Sequence, residues 1–313
     1  MKIKFSPKAD EEKKRLDAVL AARYPQYSRA NWNNFLKDGL VSIDKRVAKA
    51  NTRIALGNII KADLTKIDAT KSDETVVSEV VLDIPIVFEN DDLLVLNKPA
   101  GVLSHPASEN DQRQSVAGFI KEKYPEISKI GENPLRPGIM HRLDKEVSGL
   151  MVIAKTQPMF EFLKQSFKDR LVKKFYTALV YDPEMLDSGD IRSRLMRSQK
   201  KGRIVAMPET SEAGRDAHSS FEVLERFNTT ALLRVQIHTG RTHQIRVHFF
   251  AYRHPLVGDT LYKTRKRHIR PIKLDRIFLH ASELTIPLPD GTEKEWICPL
   301  PTELKTTLKK LKP

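Results

Sequence analysis

The stretch Gly138-Ile139-Met140-His141-Arg142-Leu143-Asp144-Lys145-Glu146-Val147-Ser148-Gly149-Leu150 organises the reading of this chain. It runs into a short apolar strand predicted over Leu150 to Ala154. Asp144 stands between two cations, Arg142 and Lys145, and a carboxylate held there can attack an electrophilic sugar carbon. Arg142 can enter a nucleic acid helix, because a guanidinium stacks and hydrogen-bonds at once. By composition alone the same residues also read as a charged surface turn closed by Ser148-Gly149.

Working outward, Thr156 is placed to cap a helix with Pro158 in its first turn, and Met159, Leu163 and Phe167 mark one buried stripe. Phe175 to Val180 alternates as a strand that carries Tyr176 just after Lys173-Lys174. A ring there can stack on a base, and core packing is its ordinary alternative. Ser219 to Leu224 and Leu232 to His238 predict another strand pair. The second cluster is His238-Thr239-Gly240-Arg241-Thr242-His243-Gln244-Ile245-Arg246-Val247-His248. Gly240 permits a sharp bend, and the arginines and histidines that follow suit phosphate binding or pairing with a catalytic carboxylate. With arginines interleaved and no carboxylate among them, these histidines do not read as a metal site. Lys263, Arg265, Lys266, Arg267 and Arg270 form a third basic run, predicted to bind phosphates.

Upstream, Ile86-Val87-Phe88 and Leu93 to Leu96 flank Asn90-Asp91-Asp92 as a hairpin, and Lys98-Pro99-Ala100-Gly101 turns the chain. Ser104-His105 has no partner acid placed by the sequence and makes no triad. Residues 301–313 read as a terminal helix or a frayed tail. Many strands with few long helices imply an α+β fold with a central mixed, largely antiparallel sheet and flanking helices.

The first part of the chain reads as a unit of its own. Leu16, Val19 and Leu20 recur at helical spacing. Ser28 is placed to cap a second helix, in which Trp32, Phe35 and Leu36 share a face. Leu40 to Ile43 predicts a strand, Asp44-Lys45 a turn, and Ile54 to Ile60 a further extended stretch. Residues 1–63 hold fourteen Lys or Arg against seven Asp or Glu, an excess that suits an RNA contact surface. Residues 64 to 80 lack apolar periodicity and read as a linker. The predicted division is 1–65 for the small domain, 66–80 for the linker and 81–313 for the larger domain.

Across 313 residues the formal net charge is +14, which makes a nucleic acid the leading large partner. Cys298 is the single cysteine, so no intrachain disulfide or cysteine-rich metal site is available, and a reducing, cytoplasmic setting is expected. The N-terminus does not read as a signal peptide, and no apolar run is long enough for a transmembrane helix. No glycine-rich phosphate loop, Gly-x-Ser-x-Gly elbow or Rossmann fingerprint occurs, so kinase, ATPase, hydrolase and nicotinamide chemistries lack support. Neither a cofactor nor a metal is expected, and a monomer is the default.

His141-Arg142-Leu143-Asp144 followed by Ser148-Gly149-Leu150 resembles the signature of the RluA/RluD-type family of ribosomal large-subunit or transfer RNA pseudouridine synthases. Lys98-Pro99-Ala100-Gly101 with His105-Pro106, Tyr176 with Ala178, Gly240 to His248, and Arg276 with Leu279-His280-Ala281 extend the resemblance over roughly residues 81 to 300. It implies a pseudouridine synthase catalytic domain that isomerises uridine in flipped-out RNA. Asp144 would be the catalytic aspartate, acting as nucleophile or as proton-abstracting carboxylate. Arg142 would fill the space left by the departing uridine. Tyr176 would pack against uracil and take part in proton removal, and Arg241 would pair with Asp144 and hold it. Ile245 and Leu279 would form the apolar wall.

Residues 13 to 63 resemble a small S4 RNA-binding domain, with Ser28-Arg29, Lys37, Gly39 and Val41 in place. Asp44-Lys45 stands where Asn-Gly is usual, and Gly57-Asn58 where Gly-Asp is usual. Glu146-Val147 departs from the family's common Asp-Thr; the lost hydroxyl predicts a modest local adjustment with the backbone bias kept. Large-subunit ribosomal RNA is the favoured substrate, with transfer RNA and pre-ribosomal particles as further partner classes. The rival readings are a non-catalytic RNA-binding or ribosome-assembly factor, and a nucleic-acid glycosylase that would release free uracil.

Overall fold

The computed structural model describes residues 2–27, 29–49, 51–64, 82–108, 110–181, 184–198, 202–263 and 271–312. The expected linker at 66–80, the expected cap Ser28 and the part of the third basic run that follows Lys263 lie outside these residues. The chain divides into two compact units, Met1–Glu79 and Val80–Pro313.

The first unit contains β1 (Lys2–Phe5), α1 (Leu16–Arg23), α2 (Arg29–Lys37), β2 (Val41–Ile43), β3 (Arg46–Val47) and β4 (Ile60–Asp63). The expected helical faces are buried: Leu16, Leu20 and Trp32 are fully enclosed with Val41, Ile54 and Ile60. Asp17 is buried at the start of α1 and is neutralised by Arg15 and Arg29, each at 3.0 Å. Asp44-Lys45 does turn the chain, with both residues at positive φ (48° and 69°) between β2 and β3. Such a turn matches strand twist and ordinarily favours Asn-Gly. Here the Asp44 carboxylate accepts from the Ile59 amide and the Asn58 side chain, each at 2.7 Å, which ties the strained turn down. Two expectations change. The strand starts at Ile60, because Ala55 to Asn58 form a turn, and β1 was not foreseen, since its four residues carry two lysines on the exposed face.

The second unit contains β5 (Ile86–Glu89), β6 (Leu93–Lys98), α3 (Val116–Lys123), β7 (Ser148–Ala154), α4 (Gln157–Lys168), β8 (Lys173–Tyr181), β9 (Ser188–Ser198), β10 (Arg203–Met207), β11 (Arg215–Arg226), β12 (Thr230–Ile237), α5 (Gln244–Ala251), β13 (Leu279–Pro287), β14 (Glu293–Ile297) and α6 (Thr302–Lys309). Among the described residues the strands form one ten-stranded sheet in the order β10-β9-β11-β12-β8-β13-β7-β6-β5, with β14 beside β13. Every pairing is antiparallel except β13 with β7. The α+β architecture with a mixed, mostly antiparallel sheet is therefore the observed one.

β6 and β7 read as unbroken apolar runs because both of their faces are covered. Leu94, Leu96, Met151 and Ile153 pack into the core that includes α3, while Leu93, Val95, Leu150 and Val152 pack with Met159 and Leu163 of α4. Each fully buried Leu or Ile contributes roughly 1.5–3 kcal/mol, so these two strands anchor everything attached to their ends. Ser148-Gly149 opens β7 and does not close a surface turn. Gly149 has φ +120°, and a β-carbon there would lie 2.3 Å from the Ala281 carbonyl oxygen. Only glycine permits this approach of β7 to β13, and it sets the Asp144 loop against the sheet.

Buried histidines give this unit a defined acid response. Burial holds His248 and His280 down to about 4 and His141 to about 3, from an ordinary 6.5. The Arg276 guanidinium donates to Ser148 Oγ at 2.7 Å, which orients the Ser148 hydroxyl toward His280 Nδ1 at 2.8 Å, and His280 Nε2 donates to the Cys298 carbonyl at 3.2 Å. Between pH 6.5 and about 4 the unfolded chain binds these protons and the folded chain does not, so stability falls as pH falls. The melting temperature is expected to drop steadily from pH 6.5 toward 4. A melting temperature constant across that window would contradict the assignment.

Candidate active site

Asp144 is fixed from both sides by the segment that follows β6. On one flank, Ser104 Oγ donates to the Leu143 carbonyl at 2.8 Å and accepts from the Leu143 amide at 2.9 Å. On the other, the Gly101 amide donates to the Lys145 carbonyl at 2.8 Å. The fully buried Lys98 ammonium reaches that carbonyl at 3.3 Å, and also the Pro99 and Val102 carbonyls at 2.9 and 2.8 Å. Burial first, then the charge of Arg276, lowers this lysine to about 7. The Val147 amide closes the loop onto the Asp144 carbonyl at 3.1 Å. Val147 itself is 2% exposed within the main core. A methyl therefore occupies apolar space where the family's hydroxyl would sit, and the turn holds by its backbone bond.

The carboxylate faces the start of α5. Arg246 Nη1 donates to Asp144 Oδ2 at 3.4 Å, and His243 Nε2 lies 3.8 Å from the same oxygen. The other edge of the Arg246 guanidinium is gripped by Asp259, with Nε and Nη2 donating at 2.7 and 3.0 Å. The Asp259 side chain is fully buried. Burial alone would raise it, but Arg246 and the amides of Tyr262 and Leu261 outweigh that and keep its carboxyl below the usual range. Arg246 is thus a rigid bridge whose position is set by one carboxylate and used by another.

The loop before α5 is equally constrained. Gln244 accepts from Thr239 Oγ1 at 2.7 Å and from the Arg241 amide at 3.0 Å, and donates to the His218 carbonyl and Ser219 Oγ. All four hydrogen-bonding positions of this buried amide are used. The chain bends at His238-Thr239, directly before Gly240 as expected, while the left-handed residue of this loop is His243, at φ 57°. A non-glycine residue in the left-handed region is uncommon, and histidine is among the types that adopt it more readily. His243 Nδ1 is bonded to the Tyr262 hydroxyl at 3.0 Å. Burial, the larger influence, lowers this imidazole although Asp144 acts to raise it.

The sequence-expected residues converge on a cavity of about 340 Å³. Asp144, Arg142, Tyr176 and Arg241 all line it, as do Ile245 and Leu279. Among the described residues Asp144 is the only carboxylate in the lining, against Arg136, Arg142, Lys174, Arg241 and Arg246. Arg142 is exposed and has no protein hydrogen-bond partner among the described residues. The Tyr176 ring is 6% exposed, and burial with the negative charge of Asp144 pushes its phenol above the usual range, so the hydroxyl keeps its proton. One role moves. The pairing with Asp144 expected of Arg241 is made by Arg246, while Arg241 Nε donates to the Asp216 carbonyl at 3.0 Å. Both arginines stand in one quoted run, and only the helical turn that starts at Gln244 decides which of them points inward. Asp259, with Ser104, was not foreseen as part of the site.

Outside the cavity, Asp190, His218 and His238 place donor atoms within 4.8 Å of one another. The two rings stack at 4.1 Å with an interplanar angle of 19°, and His218 Nε2 lies 2.5 Å from Asp190 Oδ1. Arg192 and Arg170 add positive charge at His238. Here His218 is hydrogen-bonded to Asp190 and His238 Nε2 to Ser220 Oγ at 2.9 Å. Among the described residues no helix is long and apolar enough to cross a membrane.

Residues 92–251 match the family model described as RNA pseudouridylate synthase. The chain is 33% identical over 310 residues to ribosomal large subunit pseudouridine synthase D of Yersinia pestis, covering 95% of this chain and 91% of that protein. It is 32% identical over 311 residues to the uncharacterized RNA pseudouridine synthase YlyB of Bacillus subtilis, covering 99% and 98%. Among solved structures it is similar to human RNA pseudouridylate synthase domain containing 1, with a TM-score of 0.57 and 27% identity over 71% of this chain and 85% of that one.

Proposed function

We propose that this chain, which belongs to the RNA pseudouridylate synthase family and is an RNA pseudouridine synthase, isomerises uridines of large-subunit ribosomal RNA in the cytoplasm, with Asp144 as the reacting carboxylate. The observation that carries the reading is the single carboxylate of a cation-lined cavity, pinned through both neighbouring residues. The preference for ribosomal RNA draws on the relatives named for the ribosomal large subunit.

The reaction breaks the bond from ribose C1′ to uracil N1 and forms one from C1′ to C5. The C5 proton is then lost and N1 regains one, so neither a redox change nor a cofactor is required. The uridine first leaves its stack, at a cost of a few kcal/mol when paired. Arg142 fills the vacated space and Tyr176 packs on the extruded ring. Asp144 attacks C1′ or removes a sugar proton on a glycal route; Arg246 holds it in either case. Because the Tyr176 phenol is protonated at rest, it acts as a base only if its own proton is first passed on. Residues 1–65 serve as an S4-like RNA-binding domain joined through 66–80 to the catalytic domain at 81–313, supported by the basic excess of residues 1–63 and by the paired helices ahead of a β-turn.

A pseudouridine map of ribosomal and transfer RNA from cells with and without the gene tests this. Specific sites in large-subunit RNA are expected to revert to uridine. Loss confined to transfer RNA would overturn the substrate assignment, and release of free uracil by the purified protein would favour a glycosylase.

A further inference from the structure

Lys174 lines the cavity from β8, two residues before Tyr176 and on the same side of the strand. Its ammonium sits 5.1 Å from the centroid of the Phe167 ring, which stacks on His141 at 5.0 Å. A β-carbon on Gly240 would lie 3.9 Å from Lys174 Nζ, so the absence of a side chain there leaves the amine facing open space. Among the described residues, no carboxylate lies within 4.0 Å of this nitrogen and no acceptor is hydrogen-bonded to it, whereas neighbouring Lys173 is paired with Glu293 at 2.8 Å. A desolvated cation is costly unless it is paired. Burial brings Lys174 down to about 8, which still leaves it charged at neutral pH. The described protein supplies a weak cation–π contact and no counter-ion.

We propose that Lys174 is the centre of an anion subsite in the wall of this cavity, which takes a backbone phosphate adjacent to the flipped uridine. This rests on the RNA-substrate reading above. The subsite lies between the His141–Asp144 loop and the Gly240–His243 loop, both of which line the cavity that holds Asp144. Arg241 flanks it, and among the described residues only its Nε is hydrogen-bonded to the protein. A phosphate oxygen gives the ammonium the hydrogen-bonded counter-charge that the described fold does not supply.

The test is pseudouridine formation on total RNA from cells lacking the gene, measured against RNA and KCl concentration with wild-type, Lys174→Met and Lys174→Arg proteins. Lys174→Met is expected to raise KM about tenfold while kcat stays within about twofold. The dependence of log KM on log salt is expected to become shallower by about 0.7–0.9, the loss of one phosphate contact. Lys174→Arg is expected to restore both KM and slope. If Met disturbs folding, as judged by the melting temperature, Lys174→Gln is measured against Lys174→Arg in the same way. An unchanged KM and slope overturns the proposal. A loss confined to kcat also overturns it and assigns the ammonium to the detached uracil ring. Total RNA contains both substrate classes, so an error in the ribosomal assignment shows as pseudouridine in transfer RNA and leaves the Lys174 comparison intact.

Discussion

Asp144→Asn is expected to abolish pseudouridine formation while RNA binding is kept. Asparagine has the shape of aspartate, and its backbone would still be held by the Ser104–Leu143 and Gly101–Lys145 bonds. What it lacks is the negative oxygen that attacks carbon or accepts a proton. Turnover should fall by at least about 10³-fold, as when a residue that performs the bond-making step is removed. Affinity should be unchanged or slightly stronger, because the lost charge is the only negative one in a described lining that holds five cationic side chains. Single-turnover assays together with filter binding separate the two effects. Residual turnover within tenfold of wild type would remove Asp144 from the chemistry. If wild-type protein binds RNA and modifies none, the non-catalytic assembly factor is the better reading.

Arg246→Met is expected to damage both activity and stability. It leaves Asp259, whose side chain is fully buried, with two backbone amides and no counter-charge. Removing one partner of a buried ion pair costs about 3–5 kcal/mol, which lowers the melting temperature by roughly 6–20 °C in a unit of this size. It also releases Asp144, and misplacement of a reacting group by about 1 Å costs on the order of 10² in rate. Arg246→Lys keeps the charge and loses the fork that spans Asp259 and Asp144. It is expected to fold better than Met but to remain impaired, so the rate deficit can be read in a folded protein. If Arg246→Lys melts and turns over like the wild type, bridging by the guanidinium is not required.

The motif around Asp144 was legible because its residues are contiguous, and the apolar runs at Leu93 to Leu96 and Leu150 to Ala154 are legible for a physical reason. Strands covered on both faces must be apolar at every position, so they stand out without alternation. The Met159, Leu163 and Phe167 stripe and the Thr156 cap are local signals, and the helix they predict is α4. Features that depend on distant neighbours were not legible. Gly149 is required because Ala281 passes against it, more than a hundred residues away in sequence. Ser104 gained its meaning from a bond to Leu143 that no spacing rule connects. His243, and not Gly240, is the left-handed residue of this loop, where Gln244 ties down Thr239 and the Arg241 amide ahead of it and Tyr262 holds its ring.

By itself the sequence determined the α+β class and the two helices and turn of the first unit, which rest on local periodicity, and it singled out Asp144 through the resemblance of its motif, with Tyr176 and the Gly240 to His248 run following in order, to a family signature. The tertiary structure alone decided which arginine holds Asp144. Arg241 and Arg246 are five residues apart in one basic run, and on sequence either can pair with an acid. The helix that begins at Gln244 turns Arg246 inward onto Asp144, and Asp259 fastens its other edge. Arg241, one turn earlier on the loop, is left at the cavity wall with Lys174. An ion pair needs an approach of about 4 Å in space, and that distance is a property of the packed chain.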